Sequence, residues 1–495
     1  RAYPLNQKNL SFNATICDPF NADFDGDAMK IHFVQKLEAI EEAKDRMLLT
    51  KNIIHARYGK LAIANDQDQV SGIYLLSHTD KRRKGEWNKT TGLGFTQEGI
   101  PYVSKKVALE VFSRTYSQDR KTGKNRHILS LPEDSIEAPD GTICYTGRAL
   151  FSHLFTVLDC EYVTAVFGGN TPNVDEDGNI TKGKEVIVIE NGKLLQGTLE
   201  KNAIGAGDGS IGASFIYHEG YEKGQAKLVE FIEMSTRLGL AAHRAIGFTM
   251  GVQDVKGSPE SNAIVDESYS IAADKIEKIQ LAYNNGTLQN FAKTTDQNVY
   301  ADQDPVGFME EQIYGVTEEF EKSTLRPVED FQGSGNPMQI SVRSKARGKA
   351  TNVQQMGAAY GLVMVGGRRV RNGIEPTRVL AHYPKDSARP EHSGFIRSSY
   401  SSGMEPDEYF LTSIGGRRST VESGMGNISK SGYLERKMIK GIESYIVDKD
   451  MRVINSRTRR VISPIVGEDG LRPFHLRMHE SNGHAIELQP FFFDF

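Results

Sequence analysis

The chain has 495 residues, which suggests two to four domains, and at 38% hydrophobic it holds enough apolar material for a core. No run of eighteen apolar residues occurs, so no membrane-spanning helix is expected, and a net charge of -4 excludes a globally basic nucleic-acid binder. Cys17, Cys144 and Cys160 form no CxxC pair, which argues against a disulfide framework or a zinc site and for buried thiols in a reducing compartment.

Residues 10–35 read as strands around an acidic loop. Within it, Asn21 to Asp27 spells NADFDGD, with carboxylates at alternate positions. On a regular strand Asp23, Asp25 and Asp27 would share one face with neighbours roughly 7 Å apart, too far for one small ion. Gly26 lets the backbone turn tightly so that the carboxylates converge. Three packed negative charges repel unless a cation neutralises them, and an all-oxygen set of this kind suits Mg²⁺. An EF-hand needs Gly at loop position six and Glu at position twelve, where this chain has Ala28 and Val34. A plain acidic surface turn is the competing reading. Against it, Ile16, Phe20, Met29, Ile31 and Phe33 bracket the acids, which predicts a turn held on buried strands.

NADFDGD, followed by Met29 and His32, resembles the catalytic signature of the largest subunit of multisubunit DNA-directed RNA polymerases. The resemblance implies that Asp23, Asp25 and Asp27 hold a catalytic Mg²⁺. It also implies that Asn21 helps read the sugar of the incoming nucleotide or the RNA end.

Lys36 to Leu49 reads as a helix, and Gln67 to Leu76 as a core helix with a close counterpart in the family. Lys81-Arg82-Arg83-Lys84 reads as a solvated loop in preference to a nucleic-acid contact. Residues 88–142 look loop-rich, and Asp175 to Lys184 looks like an exposed hairpin or insertion. Cys144 to Ser152 resembles the family's start of the pore region, and Glu190 to Gly212 its glycine-rich pore loop. Gly205, Gly207, Gly209 and Gly212 fit no phosphate-binding spacing, so a structural turn is preferred. Leu228 to Ala242 reads as an amphipathic helix, and residues 258–330 loosely resemble funnel helices.

Arg343 to Arg378 carries eight Lys or Arg against one acid, Glu375. That excess suits phosphate neutralisation, and a solvated basic surface is the alternative. Lys345 to Met356 resembles the family's segment ahead of the bridge helix, which favours the first reading.

Pro406 then opens a long segment containing Gly415, Gly416, Gly424, Gly426, Gly432 and Gly441. Each glycine costs about 1 kcal/mol relative to Ala inside a helix, so taken alone the segment is a poor helix or two short ones. Its GGR and SGYLERKM match the ends of the bridge helix, which implies one helix over residues 406–445, packed on both sides by other protein. Its middle, Ser419 to Asn427, departs from the family with one extra residue; Ser423 and Gly424 are the residues assigned to the templating base.

The fold expected is α+β and multidomain. Residues 1–80 would form the C-terminal part of a double-psi β-barrel with the Mg-binding loop, 81–255 a pore region, 256–340 funnel-like helices, 341–405 a basic segment leading to the cleft, 406–447 the bridge helix and 448–495 a tail. The wording is closest to archaeal and eukaryotic versions, of the archaeal split-subunit type. The chain is expected to be a fragment or one half of a split subunit. The function implied is Mg²⁺-dependent nucleotidyl transfer from a nucleoside triphosphate to the RNA 3′ end. It would be active only with the second-largest subunit and other polymerase subunits, on a DNA template, in the cytoplasm or nucleus and away from membranes. A non-catalytic assembly piece that keeps the fold is the alternative, and a self-contained metal-dependent nuclease a more remote one.

Overall fold

A computed structural model describes residues 6, 8–54, 61–118, 125–127, 130–174, 180–207, 210–291, 297, 300–301, 303–333, 335–450, 452–465, 476–479 and 487–490. The first segment departs from expectation. Residues 8–35 contain no strand; they hold a 3-10 turn at Ala14–Ile16, a single helical turn at Cys17–Phe20, and extended or turning backbone. Phe20, Phe24, Ile31 and Phe33 are exposed, so the bracketing apolar residues are not buried. The barrel expected over residues 1–80 is likewise not formed by the described residues: their one β contact is an isolated bridge between Ile54 and Leu61. The physical reason is pairing. A strand exists only where its N–H and C=O groups meet a neighbour's, and residues 28–35 meet none among the described residues. The helix expected at Lys36 to Leu49 forms over Leu37–Arg46, but Leu37 and Met47 point into solvent.

The first hydrophobic core begins at Ile53. Helix Asp68–Ser77 lies at its centre and is buried at eight of its residues, as expected for a core helix. It packs on helix Tyr221–Ile246, which extends the amphipathic helix expected at Leu228 to Ala242 by a turn or more at each end. The two backbones touch at glycines: a Cβ on Gly72 would stand 1.9 Å from the Gly239 carbonyl oxygen, and a Cβ on Gly239 2.3 Å from that of Gln69. Beside this crossing, Asn65 donates to Thr236 at 3.1 Å, Ser235 to Asn65 at 2.9 Å, and Thr236 to Gln69 at 3.4 Å. Asn65, Gln69, Ser235 and Thr236 thus satisfy one another at the crossing. Gly147 opens a third helix, Gly147–Val157, with its Cβ position 1.8 Å from the Leu76 carbonyl oxygen.

Among the described residues of 88–142 about half are loop, and the rest form short strands and one helix, Lys105–Ser113. They supply most of a five-stranded antiparallel sheet, in the spatial order Trp87–Asn88, Leu93–Phe95, Pro101–Ser104, Ile143–Thr146, Ile136–Glu137. Strands of two to four residues are too short to show an alternating pattern in sequence. Further on, Ala165–Val174 pairs antiparallel with Ile180–Glu190. The hairpin expected near residue 175 therefore has paired flanks, and residues 175–179 lie outside the described residues. Gly205 and Gly207 leave a short helix, Gly212 packs against Leu61 and Leu228, and Gly209 lies outside the described residues.

A second core is built by helices Pro259–Asn284 and Pro305–Gln332, packed through Ile276, Phe308, Ile313 and Phe320. Much of the basic run that follows is used inside this fold. Arg369 is buried and donates to Glu310 and Gln280, each at 3.0 Å. Arg343 is buried, Lys345 donates to Asn202 at 3.0 Å, and Arg347 to Gln67 at 2.8 Å. The charge excess over Arg343 to Arg378 is therefore in good part a set of internal ties, which composition does not distinguish from a phosphate-binding face.

From Pro406 one continuous helical segment runs to Ile442: α-helix to Ser419, π-helix over Thr420–Asn427, and α-helix from Ile428. The start is capped by Glu408, which accepts the Glu405 N–H at 3.0 Å, and the acids of its first turn complement the helix dipole. The i→i+5 winding takes up additional chain length without breaking the helix, which suits a segment carrying one extra residue. The first half is held by the buried Leu411 and by Gly415 against Val363 and Met364. The second half has no buried residue, so the expected two-sided packing is not supplied by the described residues. No helix among the described residues is long and apolar enough to cross a membrane.

The glycine crossing yields a stability test. Ala for Gly inside a helix ordinarily stabilises by about 1 kcal/mol. At Gly72 the added methyl meets backbone, so Gly72→Ala is expected to destabilise by about 1–3 kcal/mol and lower the urea midpoint. Gly432→Ala, where nothing lies within 4 Å, is the control and should not lower it.

Candidate metal centre

The acidic turn is set up by a chain reversal just before it. The helical turn Cys17–Phe20 ends at Asn21, which adopts the left-handed conformation at φ 46° and ψ 46°. Asn tolerates that region better than most residues. The reversal is closed by the Asn21 N–H donating to the Asp18 carbonyl and the Ala22 N–H to the Cys17 carbonyl, both at 3.0 Å. Five residues after Asn21, Gly26 takes φ +119°, a conformation that L side chains rarely adopt, so the backbone folds back on itself.

The result is convergence. Oxygens of Asp23, Asp25 and Asp27 lie within 4.8 Å of one another, and all three side chains are exposed. The turn fixes two of them through its own backbone: the Asp23 N–H donates to Asp27 Oδ2 and the Asp25 N–H to Asp23 Oδ1, both at 3.2 Å. Opposite ligands of an octahedral Mg²⁺ stand about 4.2 Å apart, so the three oxygens are close to the size that ion requires. The donor set also fits: hard oxygens only, few enough to leave places for water or phosphate. A hydrogen bond to Asp23 and the charge of Asp23, with that of Asp27 behind it, raise the Asp25 carboxyl above its ordinary value.

Asn21 stands at the entrance to this turn, exposed and four residues from Asp25. Ser423 and Gly424 lie elsewhere, within the π-helical stretch; Gly424 is exposed, with nothing within 4 Å of where a Cβ would stand. Phe12 was not among the residues picked out by sequence. Its ring lies 5.6 Å from that of Phe24 and 6.3 Å from that of Phe20. No spacing rule links an aromatic residue to an acidic loop twelve positions on, so nothing in the sequence marked it.

Three family models match in succession: RNA polymerase Rpb1, domain 2, over residues 1–49; domain 3 over residues 52–255; and domain 4 over residues 277–396. The acidic turn falls within the first. The chain belongs to the RNA polymerase largest-subunit family. It is similar to DNA-directed RNA polymerase subunit Rpo1N of Halobacterium salinarum, 27% identical over 97% of this chain and 43% of the relative. It is also similar to Rpo1N of Thermococcus celer, 28% identical over 99% of this chain and 50% of the relative, and of Sulfolobus acidocaldarius, 29% identical over 95% and 48%. The chain thus spans about half the length of the curated relatives it matches. The long helix lies beyond the three domain models but within the alignment to the Thermococcus subunit.

Charge crowding at Asp25 gives a direct readout of cation binding. A raised carboxyl keeps its proton to higher pH, and a bound cation favours the ionised form. Mg²⁺ should therefore move the Asp25 titration to lower pH, followed by the carboxyl carbon NMR shift, and Mg²⁺ affinity should weaken as pH falls through that titration. An Asp25 titration indifferent to Mg²⁺ would count against the site.

Proposed function

We propose that this chain carries the catalytic metal site of a multisubunit DNA-directed RNA polymerase and takes part in DNA-templated RNA synthesis. The observation that supports this most strongly is the convergence of the Asp23, Asp25 and Asp27 carboxylates on a turn shaped by Asn21 and Gly26, in a chain of the largest-subunit family. Mg²⁺ held there would lower the pKa of the RNA 3′-hydroxyl and neutralise charge on the α-phosphate it attacks.

The chain's own residues do the holding and positioning. Asp23 and Asp27 are pre-set by the backbone N–H groups of the turn, so little ordering remains when a cation arrives. Asp25, whose carboxyl is raised by its hydrogen bond to Asp23 and by the neighbouring charges, would be held in its ionised form by a cation there. Asn21, at the turn's entrance, offers an amide that donates and accepts, suited to sugar hydroxyls of the nucleotide or the RNA end. The continuous helix from Pro406 to Ile442 is read as the bridge helix, with Ser423 and Gly424 toward the template. The barrel implied around the acidic turn would be completed by strands outside residues 8–54, against which Phe24, Ile31 and Phe33 would be buried. Much of the positioning then comes from the second-largest subunit and other parts of the assembly, and positioning can supply about 7–11 kcal/mol of the barrier.

The test is primer extension on an RNA–DNA scaffold with Mg²⁺ and nucleoside triphosphates. The chain alone should not extend the primer; the chain assembled with its partner subunits should. Asp25→Ala in the assembly should abolish extension while leaving assembly intact. Extension retained by that variant at ordinary Mg²⁺ would overturn the catalytic assignment, and no extension by the wild-type assembly would favour a purely structural role.

A further inference from the structure

The long helix is anchored near its root. Leu411 and Thr412 are buried, Gly415 lies against Val363 and Met364, and beyond them none of the described residues up to Ile442 is buried. The segment is about 55 Å long at roughly 1.5 Å per residue, so a tilt of about 5° at the root would carry its far end about 5 Å. Whatever fixes the first turns therefore fixes where the rest of the helix points. One side chain of the first turn reaches out of the helix to a neighbouring segment. Asp407 Oδ2 accepts from His382 Nε2 at 2.7 Å and from the Tyr383 hydroxyl at 3.2 Å.

Both donors come from a segment that is itself held in place. Tyr383 is buried in an apolar cluster with Val363, Val379, Ile396 and Leu411. Its ring lies face to face with that of His392 at 4.0 Å, and His392 Nδ1 is hydrogen-bonded to Ser387 Oγ at 2.7 Å. His382 is exposed, with its ring 4.7 Å from that of Tyr383. The other charged groups around the grip are Glu391, Glu408 and Arg389. Glu408 is engaged with backbone, accepting the N–H groups of Glu405 at 3.0 Å and Ser398 at 3.4 Å. The hydrogen bond from His382 is the largest of the effects that hold the Asp407 carboxyl below its ordinary range. An acid in a first helical turn is ordinarily explained by the helix dipole, which needs no side-chain partner. Two donors converging on one oxygen are more than the dipole accounts for.

We propose that Asp407 is a positioning residue: gripped by His382 and Tyr383, it sets the direction in which the long helix leaves the fold. The Tyr383 hydroxyl stands on a buried, stacked ring, so packing fixes where it lies. His382 adds a second bond to the same oxygen, and two donors restrict the carboxylate more closely than one. The inference goes beyond the metal reading and does not depend on it. Its consequence for catalysis rests on reading this helix as the bridge helix, whose direction then decides how its middle meets the template.

The experiment uses the full chain with Cys17, the cysteine that is not buried, replaced by Ser. Spin labels at Glu267→Cys, on helix Pro259–Asn284, and at Glu435→Cys, toward the far end of the long helix, report their separation by pulsed electron resonance; both positions are exposed. His382→Ala with Tyr383→Phe removes both donors and keeps the buried ring. It should shift the mean separation, or widen its spread, by about 5 Å, the travel of a tilt of about 5°. His382→Gln keeps an N–H donor and should leave the distribution as in the wild type. The Asp407 titration, followed by the carboxyl carbon NMR shift, should move to higher pH in the double variant. A distribution unchanged in the double variant overturns the proposal and leaves Asp407 as a complement to the helix dipole. So do a His382→Gln distribution altered as much as the double variant's, an Asp407 titration that does not move, and a wild-type distribution already as broad as the double variant's. If the double variant's urea midpoint shows that it fails to fold, Tyr383→Phe alone takes its place; it should widen the distribution and raise the titration, and no change in either overturns the proposal. Primer extension tests the metal reading separately, and neither result decides the other.

Discussion

The fold depends on a close approach of backbones at Gly72. Helix Asp68–Ser77 is reached by helix Tyr221–Ile246 through Gly239, by helix Gly147–Val157 through Gly147, and by the Leu199 N–H, which donates to Ser77 Oγ at 2.8 Å. Each contact brings main chain to main chain or main chain to a short polar side chain. At such separations no Cβ fits, so the identity of two or three glycines fixes the distances between segments far apart in sequence. Around the crossing, Asn65, Gln69, Ser235 and Thr236 satisfy one another, so close packing leaves those groups without a hydrogen-bonding deficit. The phenylalanines of the same core, Phe151, Phe155, Phe215 and Phe231, then fill the volume left between these fixed backbones.

What the sequence reveals follows from this. The helix near Leu228 to Ala242 was legible because its apolar residues repeat at helical spacing, whereas the one at Gln67 to Leu76 is buried at eight residues and was legible from its apolar run Ile73 to Leu76. Continuity of the segment from Pro406 was legible only through family resemblance, because its glycines argue for a break. The π-helical stretch over Thr420–Asn427 coincides with the segment that carries one extra residue relative to the family. The sheet within residues 88–142 was missed because its strands are two to four residues long and give no period. Strands around the acidic turn were expected from apolar flanks, yet a flank becomes a strand only when a partner pairs with it. The roles of the basic run were hidden for a related reason: the glutamate that engages Arg369 lies 59 residues away.

At the acidic turn, by contrast, sequence and geometry coincide because the determinants are local. Asn21 and Gly26 set two unusual backbone conformations within six residues, and the three carboxylates between and beside them have little choice but to converge. Phe24, Ile31 and Phe33 at the turn, and Tyr433, Leu434, Met438 and Ile439 in the second half of the long helix, leave apolar surface uncovered in two regions. Both lie where the proposed function requires other polymerase subunits or nucleic acid.

The proposed place of the catalytic cation is the turn Asn21–Asp27. In the assembled enzyme, Fe²⁺ substituted for Mg²⁺ and supplied with ascorbate and peroxide cuts the polypeptide only near the ion. Cuts within or beside residues 21–27, suppressed by excess Mg²⁺, are the result this account requires. Cuts mapping elsewhere on the chain, or cuts at the turn that excess Mg²⁺ leaves unchanged, would contradict it.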